Sequence, residues 1–438
     1  MMKILGILAV IALGGFFLFS NIREVTITAS PSAGEPSAEK PGVSMSTNAM
    51  ASSAISSLGS SSATKVELPI PINGDIEKQL PLFDPPRVVK GVYVTNWSAG
   101  SARTMDRIIK LIDSTELNAI VIDIKDYSGM VAYRTGVADV QKAGAEREIR
   151  IEKPNALIKT LHDRGIYVIG RIAVFQDQVL AAAHPEWALK NKSTGEIWRD
   201  HKGLAWLDPS IPEVWDYHVA LARDVLSRGF DEVNFDYIRF ASDGDLSAIG
   251  YPSWKGGASK ESVISSFFKY LRENLAGAKI SADLFGLATI QNDDLGIGQK
   301  IESAYRYFDY VSPMVYPSHY ASGFLGYKNP AAYPAEVIAY SMENAVRKFA
   351  VLNGTGTATS TSSASGTPAV PLHAYSARLR PWLQDFDLGA TYDAAMVRKE
   401  IQAAEGILLA NPELYAGWLL WDPSNAYTPG ALAPASST

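Results

Sequence analysis

From Val88 onward, short apolar segments alternate with amphipathic stretches, and this alternation constrains the fold more than any other feature. Eight segments are expected as strands: Val89–Asn96, Ala119–Asp126, Tyr167–Phe175, Glu232–Phe240, Ile280–Leu287, Tyr310–Tyr316, Val370–Ser376 and Gly417–Asp422. Helical patterns are expected between them at Thr104–Ser114, Pro154–Arg164, Pro212–Ser227, Glu261–Ala276, Pro334–Val351 and Ala394–Leu409. Gly165, Gly229 and Gly277 fall where helices should end, because glycine accepts the left-handed conformation that closes a helix. This order predicts a parallel α/β fold, most simply a closed (β/α)8 barrel. The alternative is a doubly wound open sheet. That fold needs a glycine-rich turn after its first strand, and Asn96-Trp97-Ser98-Ala99-Gly100 is a poor one.

The chain is 438 residues long and 47% hydrophobic, enough to bury a substantial core. A formal net charge of -6 supplies no basic field for nucleic acid, so no nucleic-acid partner is expected. The chain has no cysteine, which excludes disulfides, thiolate metal sites and a cysteine nucleophile. Lys3 precedes an uncharged apolar run, Ile4–Phe19. Residues 1–25 are therefore expected as a signal anchor or signal peptide. An uncleaved anchor is favoured, since Phe19-Ser20-Asn21-Ile22-Arg23 lacks a small-residue cleavage site. The Lys3 flank is the more basic, which places the bulk of the chain outside the membrane. Residues 26–66 form a Ser/Ala/Pro-rich linker and 67–430 the barrel. A low-complexity loop is expected at 352–368 and a disordered tail at 431–438.

Polar residues collect at the strand ends. In Glu232-Val-Asn-Phe-Asp-Tyr-Ile-Arg-Phe240, alternation puts Val233 and Phe235 on one face and Asn234 and Asp236 on the other. An acid ending a buried strand is costly unless it is paired or functional. The second strand points Asp123 and Lys125 inward, the third carries Arg171 and the fifth Asp283. Acids ending several strands converge on one mouth of a barrel, the end at which barrel enzymes do chemistry. Tyr93, Trp97, Trp206, Tyr237, Tyr316 and Trp421 could provide flat platforms there. A plainer reading makes Asp123, Lys125 and Arg171 a buried ion-pair layer, and pairs Arg239 with Asp236. Asp208 reads as the cap of the helix that follows it.

Three segments carry a family resemblance: Gly91-Val-Tyr-Val-Thr95, the run from Phe230 to Gly244, and Tyr310-Val-Ser-Pro-Met-Val-Tyr-Pro-Ser-His-Tyr320. Together they resemble the bacterial "putative glycoside hydrolase domain" family over roughly Val88 to Tyr427. The resemblance implies a TIM barrel distantly related to α-amylases and α-galactosidases, acting on a poly- or oligosaccharide. Barrels of that type place a nucleophilic Asp at the end of strand four and a proton donor at the end of strand five. Those positions here are Asp236 and Asp283. Asp283 departs from the usual Glu donor. Asp123, Lys125, Arg171, Arg239, Tyr316 and Tyr93 would orient the pair or meet substrate, and Trp97 and Trp421 would stack sugar rings.

Other chemistries find less support. The six histidines form neither a His-x-His nor a His-Glu-x-x-His pattern, so no metal or cofactor is expected. Lys125 could form a Schiff base, but its carboxylate neighbours favour an ammonium. The rival of a different class is a membrane-tethered, non-catalytic polysaccharide-binding protein on the same scaffold.

Overall fold

The computed structural model describes residues 74–355 and 375–435. The expected anchor and linker, most of the 352–368 loop and the last three residues lie outside the described residues. Among the described residues, no helix is long and apolar enough to cross a membrane.

Eight parallel strands close into a barrel: β1 (Val89–Val94), β2 (Ala119–Lys125), β3 (Tyr167–Ala173), β4 (Glu232–Asp236), β5 (Ile280–Phe285), β6 (Tyr310–Met314), β7 (Arg378–Leu379 and Trp382–Gln384) and β8 (Gly417–Trp421). Their connections carry α1 (Ala102–Ser114), α2 (Pro154–His162), α3 (Pro212–Ser227), α4 (Lys260–Asn274), α5 (Ile301–Tyr307), α6 (Pro334–Leu352) and α7 (Ala394–Leu408). Local chemistry sets the helix starts. Ser101, Ser259 and Asp393 cap α1, α4 and α7, and proline opens α2, α3 and α6.

Covering helices bury the outer face of each strand, while the inner face fills the lumen. On β2, Ile120, Ile122 and Ile124 join the core under the helices, whereas Ala119 and Val121 pack inside with Tyr93, Tyr167, Ile169, Trp382 and Leu419. On α1, Met105, Ile108, Ile109 and Ile112 form the buried stripe expected of helical spacing. The barrel closes where Val89 lies opposite Gly417. Gly417 has φ +101°, and an added Cβ would sit 2.0 Å from the Val89 carbonyl oxygen, so only glycine fits.

Closure removes the open-sheet alternative and corrects three local expectations. The seventh strand is not Val370–Ser376. Residues 370–374 lie outside the described residues, Tyr375 and Ser376 are irregular, and the strand follows them. It breaks at Arg380-Pro381, where proline supplies no N–H to the ladder. Arg380 turns into the lumen and donates from Nη1 to Glu232 Oε2 at 3.1 Å. The fourth strand stops at Asp236 rather than Phe240, because Tyr237 adopts φ +53° and sends the chain out of the barrel. The C-terminal segment stays packed beyond 431: Ala431 and Leu432 are buried, and Ala433 N–H donates to Glu116 Oε1 at 2.9 Å.

The long β3–α3 and β4–α4 loops are stitched together. Lys190–Asn191 pairs antiparallel with Ile249–Gly250, and Trp198 Nε1 donates to the Asp245 carbonyl at 3.0 Å. Asp208 contributes to the stitching and does not cap α3. One of its oxygens accepts from Ser210, and the other accepts from the Ser253 and Trp254 amides at 2.8 and 2.9 Å.

Candidate active site

Five adjacent strands, β1 to β5, contribute one buried cluster. Arg171 of β3 donates from Nη2 to Asp236 Oδ2 of β4 at 2.5 Å, and from Nη1 to Asp123 of β2. Its Nε lies 3.6 Å from Asp283 Oδ2 of β5. Tyr93 of β1 donates its hydroxyl to Asp123 Oδ2 at 2.5 Å. The left-handed turn at Tyr237 aims that residue's amide at Asp236 Oδ1, 2.6 Å away. Asp283 Oδ1 accepts from Asn234 Nδ2 and from Trp382 Nε1, each at 2.8 Å.

These neighbours separate the groups electrostatically. Burial first, and then the charge of Asp236, push the Asp283 carboxyl up to about 7, against the opposing pull of Arg171, Asn234 and Trp382. Burial also raises Asp123; Arg171 pulls it back, and Asp126 adds to the rise. Burial would lower Arg171, but Asp123, Asp236, Tyr93 and Asp283 outweigh it and hold the guanidinium well above its ordinary value. Burial, reinforced by Asp283 and Asp236, keeps Tyr316 far above the usual phenol value.

The residues expected at the mouth divide into two groups. Asp123, Arg171, Asp236, Asp283 and Tyr93 meet in the cluster. Tyr316 and Trp421 stack beside it, ring centroids 5.3 Å apart and planes 27° apart, with Phe386 edge-on to both. Trp97 is 58% exposed, and the Arg150 guanidinium braces its ring at 4.6 Å. Lys125 does not join. A bulge between Asp123 and Lys125 takes it off the inward row, and its ammonium meets Asp177 Oδ2 at 2.8 Å and the Ala173 carbonyl. Arg239 does not pair with Asp236; Nη1 donates to the Phe240 carbonyl and to Ser242 Oγ.

Two contributors were missed. Trp382 was hidden by the misplaced seventh strand, although the alternation in Trp382-Leu383-Gln384 was there to find. Asn234 was placed on the correct face, but only its inward row, shared with Asp236, hinted at a bond to Asp283.

A concavity of about 630 Å³, lined by Lys90, Thr115, Glu116 and Asn118, opens at the opposite end of the barrel, where β1 and β2 begin. It holds none of the clustered acids, and the side-chain geometry at the mouth is the better guide to chemistry. Among the described residues, no group of three or more His, Asp or Glu side chains is arranged to hold a metal ion.

Fold and site together define a (β/α)8 barrel whose acids gather at the C-terminal ends of its strands, the end that carries chemistry in this architecture. The model of a family described as "Putative glycosyl hydrolase domain" matches residues 91–427, and the chain belongs to that family. No curated protein matches it. A hypothetical protein from Ruminiclostridium thermocellum ATCC 27405 is 36% identical, covering 47% of this chain and 98% of its own, with a TM-score of 0.41. The PgaB (BpsB) glycoside hydrolase domain from Bordetella bronchiseptica covers 80% of this chain and 100% of its own at 13% identity and a TM-score of 0.51, a likeness of fold.

Proposed function

We propose that the protein hydrolyses O-glycosidic bonds of a poly- or oligosaccharide with Asp236 and Asp283 as its two carboxyl groups. The observation that carries this reading is the sharing of one guanidinium, Arg171, by two strand-end acids with unlike surroundings. Asp236 accepts from a donor on each oxygen, the arrangement suited to a carboxylate that attacks the anomeric carbon or stabilises its positive charge. Asp283, raised to about 7, keeps its proton in about half of the molecules at neutral pH and serves as the general acid. Two donors already occupy its Oδ1, which leaves Oδ2 as the oxygen to carry the proton. Tyr93 and Asp123 fix Arg171 from the other side, and Tyr316 with Trp421 forms an aromatic wall for the sugar.

The test is a hydrolysis screen over bacterial and environmental glycans with the wild type, Asp236→Asn and Asp283→Asn. Turnover by the wild type, lost in either variant while binding persists, is the expected result. Glycan binding with no turnover on any substrate would instead favour the non-catalytic binding protein. We further propose, from the Lys3 flank and the apolar run Ile4–Phe19 alone, that the domain is held outside the cell membrane. Resistance of the domain to protease added to intact cells or spheroplasts would overturn that placement.

A further inference from the structure

Arg239 stands three residues beyond Asp236, and only 7% of it is exposed. Its guanidinium lies against aromatic faces from three segments: Phe285 at the end of β5 at 4.6 Å, Trp206 at 4.7 Å and Tyr237 at 5.6 Å. Burial pulls it below the ordinary value of an arginine. Such a charge is expensive to bury without a carboxylate beside it. Other buried arginines follow that rule: Arg171 pairs with Asp123 and Asp236, Arg228 with Asp224, Arg380 with Glu232, and Arg150 with Asp126.

Arg239 departs from it. Among the described residues it has no carboxylate at ion-pair distance, and Tyr237, Asp243, Asp236 and Asp200 act on it only through longer-range charge. Nη1 is occupied by the Phe240 carbonyl at 3.1 Å and Ser242 Oγ at 2.8 Å. Nε and Nη2 have no acceptor among the described residues, and neither is one of the sealed, unpartnered polar atoms of the interior. These two nitrogens form the edge of a guanidinium that grips a carboxylate through parallel N–H bonds. The aromatic walls brace the guanidinium and hold that edge in place.

We propose that Arg239 receives the carboxylate of an acidic sugar, a uronate residue seated beside Asp236 and Asp283. The identity of the ligand as a sugar rests on the hydrolase reading; the anion site rests on Arg239 itself. Arg171 is taken up by Asp123 and Asp236, so the cation left to meet an acidic sugar is Arg239, where the chain leaves β4.

The experiment compares tri- to hexameric oligouronates of glucuronate, galacturonate and mannuronate with their carboxyl-reduced neutral forms and with sulfated neutral oligosaccharides. Affinity is read by calorimetry and turnover by release of reducing ends. The wild type should bind at least one oligouronate about tenfold or more tightly over its neutral form, the ratio expected of a charge-assisted pair. Arg239→Met should bring that ratio close to one while the thermal midpoint holds. Arg239→Lys keeps the charge but loses the fork, so its ratio should fall between the two. A wild-type ratio at or below one across the panel overturns the proposal, as does an unchanged ratio in Arg239→Met. Should the Met variant not fold, an unchanged ratio in Arg239→Lys overturns it equally. Preference for sulfated over carboxylated chains overturns the choice of carboxylate. Arg239-dependent uronate binding without hydrolysis would sink the hydrolase reading and leave this one standing. Hydrolysis of neutral glycans with no uronate preference would do the reverse.

Discussion

Asp236 and Asp283 are joined through one guanidinium: Arg171 Nη2 lies 2.5 Å from Asp236 Oδ2, and Arg171 Nε lies 3.6 Å from Asp283 Oδ2. The cation draws the two acids together, yet each keeps different remaining partners. Asp236 takes a backbone amide from its own turn, whereas Asp283 takes side-chain donors from Asn234 and Trp382. In the proposed reaction this asymmetry suits Asp236 to act as nucleophile or cation stabiliser and Asp283 as acid.

The first prediction concerns the pH profile. As the proposed proton donor, Asp283 would act only while protonated, so kcat/KM should fall as pH rises through about 7. Asp283→Asn should lower kcat by about a hundredfold to ten-thousandfold. An activity that climbs steadily from pH 6 to 9 would remove Asp283 from the donor role.

Trp382→Phe tests the same group from a distance. The indole N–H favours the ionised form of Asp283, so its removal should move the alkaline limb to higher pH. Arg171 also pulls Asp283 down, and Arg171→Lys, which keeps the charge, should move the limb less than Arg171→Met. A downward shift in Trp382→Phe contradicts the assignment.

Asp283 also links stability to pH. Its folded value near 7 lies above the ordinary carboxylate range, so the folded chain holds the proton more tightly than the unfolded chain. Its contribution is therefore fully favourable below about pH 4 and is lost as pH rises toward 7. Asp283→Asn should raise the thermal midpoint relative to wild type at pH 8, and the gap should shrink at pH 5. Melts by circular dichroism at the two pH values decide it; a gap that widens on acidification runs against the sign.

Lys125 and Asp177 form a fully buried pair away from the acid cluster. Lys125→Met should destabilise the fold by about 3–5 kcal/mol, because it strands the Asp177 carboxylate. Lys125→Met combined with Asp177→Leu should recover much of the loss. Urea titrations of the two variants check this, and equal stabilities would show that the charge left behind costs nothing.

Much of this architecture can be read from the residues. The 2-residue alternation at Asn234 and Asp236 places both in the lumen, and the strand ends of Asp123, Arg171 and Asp283 bring them to the same mouth. Alternation fails where the backbone slips by one residue. The bulge after Asp123 reverses Lys125, and nothing in Ile120-Val-Ile-Asp-Ile-Lys125 announces it. The seventh strand fails for another reason. Arg380-Pro381 cuts its apolar run into pieces too short to stand out, and with them went Trp382. The box around Arg239 could not be foreseen at all, since Trp206, Tyr237 and Phe285 meet only after the barrel has folded.

The contact between Val89 and Gly417 also bears on how the molecule is made. The first strand must wait for the last, some 328 residues later, before its second edge is covered. A nascent chain emerging from the ribosome therefore carries β1 with one side open for most of its synthesis, which invites pairing with other chains. The final zipping passes through a position where no side chain fits. A single methyl group at 417 would thus strike at the last moment of assembly, with most other contacts already made, and the yield of folded protein would register it before any assay of the finished molecule.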